Sequence, residues 1–161
     1  MALTREFQIE RSTTIDAPAA QVHPWIDDFH RWTAWSPWEG LDPDLQRTYS
    51  GPDSGVGATY EWSGNRKAGA GRMEILGSTA PSNVTISLRF LKPFKAHNTA
   101  IFAIAETGGT TEVRWTMSGP QGPLGRAFSA LFRMDKVVGG DFEKGLAALK
   151  ERAESGPPPA A

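Results

Sequence analysis

The side chains able to do acid–base or metal chemistry are few and scattered. Three histidines, His23, His30 and His97, are spread over the chain, and no two stand at a ligand spacing such as His-Glu-x-x-His, so no metal is expected. There is no cysteine, which removes a thiol nucleophile, a thiolate-held cluster and any disulfide. The Gly-x-Ser-x-Gly elbow of an α/β-hydrolase is missing as well. Gly55-Val56-Gly57 and Gly69-Ala70-Gly71 lack both the third glycine of a dinucleotide loop and the Gly-Lys-Ser/Thr of a P-loop, and they read as hairpin turns or bulges. One carboxylate is conspicuous. Asp135 projects near the middle of an apolar helical stripe, between Leu131 and Phe142. A charge there is costly unless it is paired or lines a wet cavity. The Gly139-Gly140 pair resets the helical phase and leaves Asp135 exposed, or Asp135 takes part in a salt bridge at the helix end, or it is a polar anchor or acid inside a ligand cavity, answered by Arg72, Arg89 or His97.

The elements that must position these groups follow from periodicity. Residues 6–15 alternate as a half-buried strand, with Phe7, Ile9, Arg11, Thr13 and Ile15 on one parity. Asp16-Ala17-Pro18 reads as a helix start, with Asp16 near the cap, and Val22, Trp25, Ile26 and Phe29 follow at helical spacing. Pro24 should shorten or kink that helix, and a second short helix is expected over 28–35, ending at Ser36-Pro37. From 44 to 119 the pattern is strand and turn, implying an antiparallel meander of about six strands. Within it Val84, Ile86, Leu88 and Phe90 should face the core, and Thr85, Ser87 and Arg89 the solvent. The rest is helical, with Phe128, Leu131, Phe132, Val138, Phe142, Leu146 and Leu149 on one stripe. Gly139-Gly140 should interrupt or bend this helix, at a point where helix and sheet approach closely or a cavity needs width. Residues 1–154 read as one domain, and 155–161, with three consecutive prolines, as a disordered tail.

Composition narrows the function classes. At 161 residues the chain suits a single domain with a sizeable core. Seventeen basic against eighteen acidic residues give no electrostatic reason to expect nucleic acid as a partner. No apolar run is long enough to span a bilayer and residues 1–8 carry no apolar leader, so a cytoplasmic location is expected. Sixteen aromatics are present, and four of the six tryptophans fall between Trp25 and Trp38. They fill a core, or they line an apolar pocket, since ligand cavities are built mostly from such side chains.

The order of strand, two short helices, six-strand meander and long C-terminal helix resembles the START-like (SRPBCC) superfamily, within it the polyketide cyclase/dehydrase branch. The resemblance is carried by Ile15-Asp16-Ala17-Pro18, Trp25-Ile26-Asp27-Asp28, Trp35-Ser36-Pro37-Trp38, Gly55-Val56-Gly57-Ala58, Tyr60-Glu61-Trp62, Gly71-Arg72-Met73-Glu74-Ile75, Thr111 to Met117, and the run Met134 to Glu143. It covers about residues 5–153, and Pro24 after His23 departs from it where an aromatic would be favoured. The resemblance implies an α+β helix-grip fold, with an antiparallel sheet of about seven strands curled around the long C-terminal helix. It further implies a deep apolar cavity between them, closed at one end by the two short helices.

The function expected on this basis is non-covalent binding of a hydrophobic small molecule, a lipid, polyketide or similar, with no cofactor. Strand parity, the helical stripe and the aromatic loop nominate Trp35, Trp38, Tyr60, Trp62, Met73, Phe90, Trp115, Met117, Phe128, Phe132 and Phe142 as its walls. The alternative is a cyclase or dehydratase with a cavity acid or base, for which Asp135, Arg72 and His97 are the candidates. A chaperone-regulator type of interaction module is a third class and would need an exposed apolar surface.

Overall fold

The computed structural model describes residues 6–37, 42–65, 69–92, 96–120 and 127–158, and the side chains of 8–37, 42–65, 69–92, 97–119 and 138–158. Strand β1 (Glu6–Ile15) is followed by helix α1 (Ala19–Ile26) and a 3-10 helix (Phe29–Ala34). Six strands come next: β2 (Gln46–Ser50), β3 (Thr59–Ser63), β4 (Ala70–Thr79), β5 (Asn83–Lys92), β6 (Ala96–Thr107) and β7 (Thr110–Pro120). Helix α2 (Ala127–Ser155) closes the chain order. The strands form one seven-stranded antiparallel sheet in the order β1-β7-β6-β5-β4-β3-β2, so the meander folds back until β7 pairs with β1. This is the helix-grip arrangement.

The alternation that defines β5 decides the faces of the whole sheet. Val84 and Ile86 are fully buried and Leu88 is nearly so, whereas Arg89 on the other parity is exposed. Ser87 lies on the outer face but is itself buried, where its hydroxyl meets Nε2 of His97 at 3.0 Å. Register carries the same face across the neighbouring strands. Leu88 pairs with Met73 on one side and Asn98 on the other, and Val84 pairs with Phe102, which pairs with Trp115. The β6–β7 hairpin is drawn tight by Gly108-Gly109, both at positive φ (61° and 84°), the conformation that a two-residue turn between twisted strands requires.

Helix α2 lays Phe142, Leu146, Leu149 and Ala153 against the concave face, all at most 1% exposed. It runs unbroken through Gly139-Gly140, so the expected interruption does not occur. Gly139 does mark a close approach of helix and sheet, as expected, because a Cβ there would collide with the Arg11 guanidinium rising from β1. Gly140 faces open space. A second close approach is Gly145, where a Cβ would lie 2.8 Å from Pro37 Cδ and 3.1 Å from Trp115 Cζ3.

The short helices are pinned over one end of the sheet by indole donors. Trp32 Nε1 donates to the Ile26 carbonyl at 2.7 Å and Trp35 Nε1 to the Trp25 carbonyl at 2.8 Å. Trp25 Nε1 donates to the Gly156 carbonyl at 3.1 Å. Buried indoles bring a large apolar surface and one donor that must find an acceptor, and here each acceptor ties two segments together. Of the tail expected from residue 155, Ser155 is the last helical residue and the Gly156 carbonyl accepts the last of these bonds, while 159–161 lie outside the described residues. The cap of α1 is Pro18 rather than Asp16, whose backbone N–H donates to Glu154 at 2.8 Å.

Candidate functional site

The concave face divides into two unlike halves. Toward β6, β7 and the C-terminal half of α2 it is filled. Trp115 stacks on Phe142 with centroids 4.0 Å apart and planes 3° from parallel, and on Phe102 at 4.8 Å. Trp35 and Trp32 meet this pair edge-on, at 5.8 and 6.3 Å from Trp115. Trp35, Trp115, Met117 and Phe142 are each no more than 5% exposed. These four proposed walls therefore lie within the buried hydrophobic core.

Toward β3, β4 and β5 the same face is an aromatic shelf that packing leaves half open. Trp62, Met73 and Phe90 are only partly buried, although they continue the inner parity of Tyr60, Ile75 and Leu88. Trp62 stacks on Tyr60 at 6.0 Å and 17°, meets Phe90 edge-on at 5.9 Å, and lies over Gly71, where any side chain would strike its ring. Tyr49 on β2 extends the array, 5.2 Å from Tyr60. The backbone of α2 begins at Ala127; the side chains of Phe128, Phe132 and Asp135, and all of Trp38, lie outside the described residues.

The two other acid–base candidates are on the wrong face for a cavity. Arg72 is about half exposed on the outer surface between Glu61 (3.9 Å) and Glu74 (3.6 Å). His97 is exposed, pairs in register with Arg89, and contacts Ser87. The reason is parity: Met73 and Asn98 turn inward, so their neighbours in sequence turn outward. No group of three or more metal-ligating side chains occurs among the described residues.

Buried polar groups gather instead where α1 and the 3-10 helix meet the sheet. His23, only 4% exposed, has Nδ1 3.6 Å from Asp27 Oδ2 and Nε2 3.2 Å from Ser78 Oγ. Burial pushes the Asp27 carboxyl above its ordinary value of 3.8, and Asp28 beside it pushes the same way; His23, Arg31 and a backbone N–H oppose without cancelling. A carboxyl that holds its proton more tightly when folded makes the folded state less stable as pH rises through its folded pKa, and the loss persists above it. Asp27→Asn is therefore expected to raise the melting temperature by a few degrees at about pH 7, with the gain vanishing below about pH 4, where wild type is protonated too. Thermal melts across that range check it; a variant less stable at neutral pH would mean that the His23–Asp27 attraction outweighs burial.

A sheet gripping one long helix, with an apolar inner face and two short helices across its end, defines a hydrophobic-ligand fold. The family model for polyketide cyclase/dehydrase and lipid transport proteins matches residues 6–154, and the chain belongs to that family. Hydrophobic-ligand binding or cyclisation is the function class that membership supports. Among solved structures the chain is similar to the di-domain ARO/CYC StfQ from the steffimycin biosynthetic pathway (TM-score 0.69, 10% identity, covering 93% of this chain and 51% of that one). It is similar also to protein CV1439 from Chromobacterium violaceum (TM-score 0.64, 12% identity, 91% and 96% covered) and to Ara h 8.0201 (TM-score 0.61, 12% identity, 94% and 99% covered). At such identities these likenesses speak for the fold. No curated protein matches the sequence. Among the described residues no helix is long and apolar enough to cross a membrane.

Proposed function

We propose that residues 1–154 act as one ligand-binding domain that holds a hydrophobic small molecule non-covalently on the shelf of Tyr60, Trp62, Met73 and Phe90. The observation that carries this reading is the contrast within one concave face: the Trp115–Phe142 half is closed, while Trp62, Met73 and Phe90 remain half-buried. Apolar surface left accessible on an inner face gains roughly 25 cal/mol per Å² when a ligand covers it. Phe128 and Phe132 complete the wall in this proposal. A cytoplasmic location, and a small molecule rather than nucleic acid as partner, belong to the same reading and rest on the near-neutral, cysteine-free composition.

The test is titration with an environment-sensitive apolar dye, 1-anilinonaphthalene-8-sulfonate. Trp62→Leu should weaken its binding about tenfold, the equivalent of ~1.4 kcal/mol, with the fold intact by circular dichroism. Phe102→Leu, a core change of similar size, should lower stability and leave dye affinity alone. Equal dye binding by wild type and Trp62→Leu would refute the shelf as the site.

A further inference from the structure

Beyond that reading, we propose that His30, oriented by Asp28, is a general base serving a small pocket between the 3-10 helix and the β2–β3 hairpin, with flat, activated carbon acids as its substrate class. The pocket measures about 100 Å³, and its lining includes Phe29, His30, Tyr49, Asp53 and Thr59. Asp28 is 8% exposed, yet its carboxylate collects three donors: the His30 backbone N–H at 2.9 Å, His30 Nδ1 at 2.8 Å and Arg31 Nε at 3.3 Å. The first of these bonds is enough to cap the 3-10 helix. The second does something further. A carboxylate only accepts, so Nδ1 carries the proton, and Nε2 becomes the basic nitrogen left to the pocket that the ring lines.

The ring is fixed and reachable at once. It stacks on Tyr49 at 4.1 Å and 18°, which sets its plane, and its side chain is 48% exposed. A buried carboxylate orienting a solvent-accessible imidazole is the arrangement that proton abstraction needs: the carboxylate holds the tautomer and stabilises the imidazolium that forms. Of the charged and titratable groups around the imidazole, Asp28 bonds Nδ1, Arg31 shares that carboxylate, the Tyr49 ring stacks on the imidazole and Asp53 lines the same pocket. Tyr49 also links this pocket to the shelf through its ring contact with Tyr60.

The step is a proton transfer. Nε2 takes a proton from carbon, the C–H electron pair moves into the adjacent activated bond, and the proton later returns to solvent or product oxygen. No co-reactant is required. The probe is 5-nitrobenzisoxazole: removal of its ring C–H proton forms the nitrile, breaks the N–O bond and releases a coloured phenolate. Full-length protein should turn it over with saturation. His30→Gln should lower kcat/KM about 100-fold, the lower range for a positioned base. Asp28 is a positioning residue, and Asp28→Asn, which keeps a cap acceptor, should lower kcat with KM little changed. Nitrogen-15 NMR should show His30 with its proton on Nδ1, a reading independent of turnover. Affinity for the apolar dye should survive His30→Gln, so failure of the shelf and failure of the base are told apart. Absence of saturable turnover, a rate unmoved by His30→Gln, or an Nε2-protonated tautomer would each overturn the proposal.

Discussion

Trp115→Ala should cost about 3–5 kcal/mol of unfolding free energy, the range for removing a buried large aromatic. The basis is its position at the centre of the filled half of the grip, stacked on Phe142 and Phe102 and met edge-on by Trp32 and Trp35. Those neighbours come from four elements or connections: α2, β6, the 3-10 helix and the turn after it. Each is held elsewhere, Trp32 and Trp35 by their indole bonds to main-chain carbonyls, so the cluster has little freedom to collapse into the space left behind. Against a typical total of ~5–15 kcal/mol, this is a large fraction of the stability. Urea unfolding followed by near-ultraviolet circular dichroism measures it. A loss under about 1 kcal/mol would show that the cluster relaxes around the missing ring, as well-filled cores do not. The milder Trp115→Phe should lose less and keep dye affinity unchanged, since the shelf lies on other strands of the same concave face.

What the residue pattern made legible, and what it hid, follows from whether a feature is local. The β5 faces, the Gly108-Gly109 turn and the α2 stripe all show in sequence, because apolar alternation and positive-φ glycines act within a few residues. Arg72 and His97 are candidates by residue type alone. Their parity beside Met73 and Asn98 already argued for the outer surface, and the structure places both there. The split between a filled and a half-open concave face was not legible. It depends on which strands the C-terminal half of α2 covers, and a stripe of apolar residues looks the same over a packed core as over a cavity. Asp28 and His30 sit two residues apart, where a side chain ahead of a short helix can bond a ring just behind it, so that pair did have a local signal. At Gly139-Gly140 the expected break is absent but the expected close approach of helix and sheet is present; its partner, Arg11, is 128 positions away, so the sequence near the glycines does not name it.

Gly71→Ala should both destabilise the protein, by about 1–3 kcal/mol, and weaken dye binding. A Cβ at this position would collide with the Trp62 ring and lie 2.5 Å from the Arg89 carbonyl oxygen. Gly71 pairs with Trp62 on β3 and with Phe90 on β5, beside a register shift in the β4–β5 ladder, so the indole rests in the gap that glycine leaves. The two obstacles differ in kind. Trp62 is partly exposed and can swing away, which relieves the clash at the cost of the shelf's main wall. The Arg89 carbonyl belongs to β5 and can move only by loosening the β4–β5 ladder. A double-mutant cycle separates them. In a Trp62→Leu background, Gly71→Ala should cost distinctly less stability than in wild type, because the ring is gone, but not become neutral, because the carbonyl remains. Dye affinity of the double variant should match that of Trp62→Leu alone, since both routes remove the same surface. If Gly71→Ala costs the same with and without Trp62, the backbone contact carries the whole effect, and the indole is not held by the glycine gap.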